Sequence, residues 1–158
     1  MPSGIVHARA SLALAASAFG LGWGATGDYR NGLAGACGCC LGILLTPDLD
    51  QESISTSEYA LIKWTMGLGF LWTMLWYPYA RACKHRSFLS HFPIVGTLGR
   101  LAYLGLFVAL ALYCGLAVPM PPAAYASWAF VGLLMSDCAH WFMDMKWGDH
   151  RPRHRRRD

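Results

Sequence analysis

Four apolar runs constrain this chain more than any other feature: about Ala8 to Thr26, Leu33 to Thr46, Leu101 to Val118 and Ala123 to Met143. Crossing the hydrocarbon of a bilayer takes roughly 20 apolar residues, fewer where the bilayer is thin or deformed, so the second run is marginal. Charged residues are 14% of the 158 and hydrophobic residues 55%, against about a quarter charged in an ordinary soluble domain. The expected fold class is all-α: one domain, an integral membrane bundle of four transmembrane helices. The first twenty residues look like a signal peptide, but their apolar run continues to about Thr26 with His7 ahead of it, so a retained first helix is expected.

GDYRNG, Gly27 to Gly32, is short enough to force the first two helices into an antiparallel pair. Gly20/Gly24 and Gly38/Gly42 have small-xxx-small spacing, expected to let those two helices approach closely. The net charge of +4 resides in the tail, where Lys146 to Asp158 holds six Lys/Arg against two Asp. That asymmetry places the C-terminus in the cytoplasm. A short arginine run without a folded reading head gives only salt-sensitive, non-specific affinity for nucleic acid, so no specific nucleic acid partner is expected. Residues 1–147 are then a membrane-embedded helical domain and residues 148–158 a basic cytoplasmic tail.

A fifth apolar region, Tyr59 to Tyr79, is rich in aromatics, broken by Gly67 to Gly69, and carries Lys63. If the fourth helix delivers the arginine tail inside, the third starts inside, which leaves no room for a single crossing between Asp50 and His85. The region is expected to be an interfacial or re-entrant helical hairpin with Trp64, Trp72, Trp76, Tyr77 and Tyr79 at headgroup level. On this topology both termini are cytoplasmic. His7, Asp48, Asp50, His85, His91, Asp137, His140 and Asp144 then converge on one membrane face. Arg100, about 13 Å beyond His91 along a helix, is expected to mark the membrane boundary of the third helix, since arginine deep in lipid is costly.

In SDCAHWFMD, Asp137, His140 and Asp144 fall within an arc of about 60° at about 100° per residue. One helix face thus presents carboxylate, imidazole, carboxylate, as bundle metal sites do. A metal-free polar patch or a proton relay is the alternative. In TPDLD, Pro47 helps to end the second helix and Asp48 and Asp50 point the same way if the segment is extended. An acidic helix-end turn would look the same. In KHRSFLSHFP, His85 and His91 lie about 240° apart on an ideal helix, so a helix capped by Ser90 and starting at His91 is expected. Lys84 and Arg86 would offer positive charge to a phosphate or carboxylate, or simply serve topology.

Four histidines and four aspartates exceed the needs of one zinc. The economical expectation is two adjacent divalent ions, zinc before manganese or iron, able to clamp both reacting oxygens of a phosphoester. Asp50 is a candidate ligand or general base, and Arg86 a candidate phosphate clamp. His150 and His154 are expected to face solvent. Of six cysteines, the five in apolar stretches are expected to be small buried hydrophobes, with a copper or redox role for CGCC the alternative.

With His7, PDLD, HRSFLSH and HWFMD in view, nearly the whole chain resembles a small family of metal-binding membrane proteins common in cyanobacteria. It is similar more distantly to the bacterial inner-membrane metal-dependent hydrolases. His140 and Asp144, with the amino-proximal histidine, also resemble zinc-dependent phospholipase C and nuclease sites, although those enzymes are soluble and use an N-terminal tryptophan absent here. The resemblance implies metal binding and hydrolysis in an inner or thylakoid membrane.

The expected function is therefore metal-dependent hydrolysis of a phosphoester or lipid headgroup at the cytoplasmic face. The alternatives are a non-catalytic metal-binding or metal-handling protein and a membrane assembly factor. A transporter would line a path across the bilayer, and the outer halves of these helices carry no charge.

Overall fold

A computed structural model describes residues 4–51, 53–84 and 87–148. The described residues form seven α-helices and one 3-10 turn, with no strand: α1 (Gly4–Thr26), α2 (Tyr29–Leu41), the 3-10 turn Pro47–Asp50, α3 (Thr56–Trp64), α4 (Phe70–Ala82), α5 (Phe88–His91), α6 (Pro93–Tyr113) and α7 (Ala123–Gly148). His85, Arg86 and the tail from residue 149, with His150 and His154, lie outside the described residues.

GDYRNG makes the expected tight turn. Gly27 ends α1 at φ 72°, a left-handed conformation that glycine adopts without steric cost. Asp28 caps α2 by accepting from Arg30 N–H at 2.9 Å. At 13 residues, α2 is only about 20 Å long, shorter than the expected run because residues 42–44 turn away. The chain still reaches the end of the bundle where α1 begins, since Thr46 and His7 line one cavity.

Close helix packing uses different glycines from those expected. A Cβ on Gly20 or Gly24 would meet nothing, whereas one on Gly22 would lie 2.7 Å from Asn31 O and one on Gly32 2.7 Å from Phe19 O. Gly38 and Gly42 face α7 rather than α1. A Cβ on Gly38 would sit 1.9 Å from Ala129 O, and one on Gly132 1.9 Å from Gly35 O. The backbones of α2 and α7 touch, and only glycine permits that.

Two helices, α1 and α6, are long and apolar enough to cross a membrane, and only 22% and 17% of their most apolar stretches are buried. Their outward side chains, among them Leu12, Leu21, Leu106 and Leu110, are exposed, so these helices do not form a buried apolar core. The expected four crossings reduce to two by this criterion. α2 is too short, and α7 carries Ser136, Asp137 and His140 on its buried face.

Tyr59 to Tyr79 is a helical hairpin, α3 and α4, joined at residues 65–69. Its aromatics divide. Trp64 and Tyr77 are exposed, but Trp76 and Tyr79 are buried with Leu45, Leu49 and Leu133, and Tyr103 packs 5.2 Å from Trp76. These two were expected at headgroup level; the apolar wall of α6 draws them into the protein instead.

The start of α6 also differs. Phe88–His91 is a single turn, Phe92 is extended at φ −70° and ψ 125°, and α6 begins with Pro93 at its first position. Proline is tolerated there because its missing N–H is not needed. Ser90 caps nothing; its hydroxyl lies 3.3 Å from His91 Nδ1. Arg100 marks no boundary. It is 1% exposed, with its guanidinium on the Asp137 carboxylate and donating to Ser90 O at 3.3 Å.

Candidate metal centre

The N-terminal turns of α1, the 3-10 turn, α5 and the last turns of α7 meet at one end of the bundle. Antiparallel packing of α1 and α7 sets the first pair. Ser11 and Ser136 hydroxyls are 2.7 Å apart, and one turn lower the rings of His7 and His140 stack at 3.8 Å and 17°. His7 Nε2 lies 3.4 Å from Asp144 Oδ1, and His140 Nε2 lies 3.6 Å from Asp144 Oδ2. The 3-10 turn closes the other side: Asp48 Oδ1 is 3.7 Å from His140 Nε2 and 3.9 Å from His91 Nε2.

Two groups of three can hold an ion, His7 with His140 and Asp144, and Asp48 with His91 and His140, each with ligand atoms within 4.8 Å of one another. Atoms bound about 2.0–2.2 Å from one zinc lie roughly 3.3–3.6 Å apart; the separations to Asp144, 3.4 and 3.6 Å, match the edges of such a polyhedron, and those to Asp48, 3.7 and 3.9 Å, are slightly longer. They are long for hydrogen bonds. His140 Nε2, on a residue 4% exposed, makes no hydrogen bond among the described residues. Such a buried nitrogen costs about 1–3 kcal/mol, and an ion would satisfy it.

Two further ring nitrogens have partners that suit metal binding. Thr46 Oγ1 lies 3.4 Å from His140 Nδ1, and Asp50 Oδ2 lies 3.2 Å from His91 Nδ1. A proton kept on Nδ1 by such a partner leaves Nε2 as the lone pair. Asp50 has a fully buried side chain, the position of a carboxylate that orients an imidazole rather than one that reaches substrate. Burial opposes the charge on Asp144, which lies beyond the apolar run of α7, but contacts with His140 and His7 outweigh it and hold the carboxyl well below the usual carboxylate range.

Of the residues expected at the site, His7, Asp48, Asp50, His91, His140 and Asp144 come together, while His85 and Arg86 lie outside the described residues. Asp137 is placed differently. Although it shares an arc of α7 with His140 and Asp144, its Oδ2 is held by Arg100 and Thr97, and it joins neither group. No cysteine joins either group; Cys39 is buried, but Cys37 and Cys138, on outward faces of α2 and α7, and Cys114, just past the end of α6, are exposed. Thr46 and Arg100 were missed as site-supporting residues. Thr46 was legible from its place before PDLD; nothing in the sequence pairs Arg100 with Asp137.

Residues 2–121 match the family described as Uncharacterized metal-binding protein (DUF2227). The chain belongs to this family. No curated protein and no solved structure matches it. The family match ends before α7, so His140 and Asp144 enter the metal centre through the fold and not through the matched residues. The two groups share His140, and one imidazole nitrogen serves one ion, so a second simultaneous ion requires a ligand beyond these five.

Metal ligands bind deprotonated, so acid competes with the ion. Imidazole nitrogens bind an ion only when free of a proton, so metal affinity should fall from about pH 7.5 to about pH 5. Competition with a chromophoric chelator at several pH values measures this, and a flat profile would show that the histidines are not the ligands.

Proposed function

We propose that this protein is a membrane-bound, metal-dependent hydrolase of phosphoesters. The observation that carries the reading is a polar cavity of 240 Å³ opening directly onto the cluster, lined by His7, Asp48 and Asp144 and by Ser55, Thr56 and Ser57. Ligand side chains thus face a space where a substrate can enter, beside hydroxyl groups suited to phosphate oxygens.

Zinc fits the His/Asp set best, with manganese or iron as alternatives. A bound divalent ion supplies Lewis-acid polarisation of a phosphoryl oxygen and lowers the pKa of water toward neutrality. His140 would hold an ion either with His7 and Asp144 or with Asp48 and His91, and a second ion would need a further ligand such as His85. Asp50 orients His91, Thr46 orients His140, and Arg86 clamps the phosphate.

The membrane reading adds a re-entrant hairpin, α3 and α4, to the two candidate crossings α1 and α6. Its support is the tip of α3 and α4, where Trp64, Met66, Leu68, Phe70 and Leu71 are exposed. The backbone N–H groups of Thr65 and of residues 67–72 are hydrogen-bonded within the hairpin, which lowers the cost of placing its tip in an apolar medium. Lys63 reaches headgroup level by extending its stem.

Protein purified in detergent should carry stoichiometric metal by elemental analysis and hydrolyse members of a panel of phosphomonoesters and phosphodiesters, with activity lost to chelator and restored by zinc. Metal-free protein would sink both the hydrolase and its alternative, a metal store or carrier, which the burial of His7, His91 and His140 favours. Stoichiometric metal without hydrolysis of any panel member would leave the store or carrier.

A further inference from the structure

Gly4, Thr56 and Ser57 line two cavities at once: the polar one at the metal centre and an apolar groove of 340 Å³ between α1 and α3. We propose that this groove holds the acyl chain of a lipid whose phosphoester headgroup lies in the polar cavity. The inference rests on the phosphoester reading above and names the substrate class.

The groove follows from helix geometry. Gly4, Ala8 and Leu12 form one stripe on α1, and Thr56, Ala60 and Trp64 form the facing stripe on α3, both at four-residue spacing. At the metal end the helices touch, since a Cβ on Gly4 would lie 2.9 Å from Thr56 Cβ. Farther along, the small side chains of Ala8 and Ala60 leave a gap that Leu12 and Trp64 also line. From Thr56 to Trp64 the groove extends about 12 Å along α3.

Polarity differs between the two adjoining cavities. Imidazoles, carboxylates and hydroxyls line one, and mainly alkyl side chains the other. Arg9, also on the groove wall, is exposed on α1 two residues beyond His7, which sets positive charge near the depth of anionic headgroups. A water-soluble phosphoester would use the polar cavity alone. A phosphate carrying an alkyl chain fits both.

The test uses the full chain, metal-loaded and held in amphipol, with butyl, octyl and dodecyl phosphate as probes of binding. Each methylene that leaves water is worth up to about fourfold in affinity, so dodecyl phosphate should bind at least about tenfold more tightly than butyl phosphate. Ala60→Trp fills the groove from α3 and Ala8→Trp from α1, so either serves if the other fails to fold. Each should bring the dodecyl preference to within about twofold, with metal content unchanged, while Leu106→Trp on the outer face of α6 should keep it. Equal affinity of the wild-type protein for the three probes would overturn the proposal, as would a preference that survives both groove variants. Chain-length preference without hydrolysis of any phosphoester would uphold the groove and reject the hydrolase.

Discussion

His140→Ala should purify without stoichiometric metal. His140 is the residue common to both groups of candidate ligands, and its Nε2 lies 3.6 Å from Asp144 Oδ2 and 3.7 Å from Asp48 Oδ1. Alanine removes a ligand from either group and the ring stacked on His7. Losing an outer hydrogen-bonding partner of a ligating histidine costs about 10–100-fold in metal affinity, so losing the shared ligand should cost more. Thr46→Val tests the gradation. It removes only the hydroxyl beside His140 Nδ1 and should weaken binding within that 10–100-fold range while retaining some metal. Elemental analysis and chelator competition give both numbers. Full metal content in His140→Ala would mean that the cluster is an ordinary buried polar network.

The second large effect concerns stability. Asp137→Leu and Arg100→Met should each destabilise the protein by about 3–5 kcal/mol, because each leaves the other buried charge without its partner. Both residues are 1% exposed. The double variant should recover much of the loss, since a buried ion pair replaced by apolar side chains of similar volume is often neutral or better. Denaturant unfolding in detergent, run as a double-mutant cycle, measures the coupling; additive losses would mean that the pair is not coupled. Arg100 also donates to Ser90 O, next to His91. Arg100→Met should therefore weaken metal binding even where the fold survives, which a purely structural ion pair elsewhere would not do.

Much of the site was legible because metal ligands are chemically distinctive and cluster locally. His7, PDLD and HWFMD each stood out as polar groups at the ends of apolar runs, where their cost implies a use. Angular position on one helix was less informative. Asp137, His140 and Asp144 share an arc of α7, yet Asp137 lies a turn away from the other ligands, where α6 presents Arg100 and Thr97. A helical wheel records direction, and the neighbour in that direction belongs to another part of the chain. The glycines repeat the point. Small-xxx-small spacing announced close packing, but Gly20 and Gly24 face outward while Gly38 and Gly132 bring α2 against α7.

By itself the sequence determined an all-helical chain of apolar segments, a tight turn at GDYRNG and a set of histidines and aspartates fit for metal, because hydropathy, turn chemistry and ligand type are properties of short stretches. Tertiary structure alone decided that Asp50 stands behind His91, that Asp137 pairs with Arg100, that both ligand groups pass through His140, and that an apolar groove lies between Ala8 and Ala60. Those are contacts between residues up to 137 positions apart, as His7 and Asp144 are, and they exist only once helices pack closely enough to bring such groups within reach of one another.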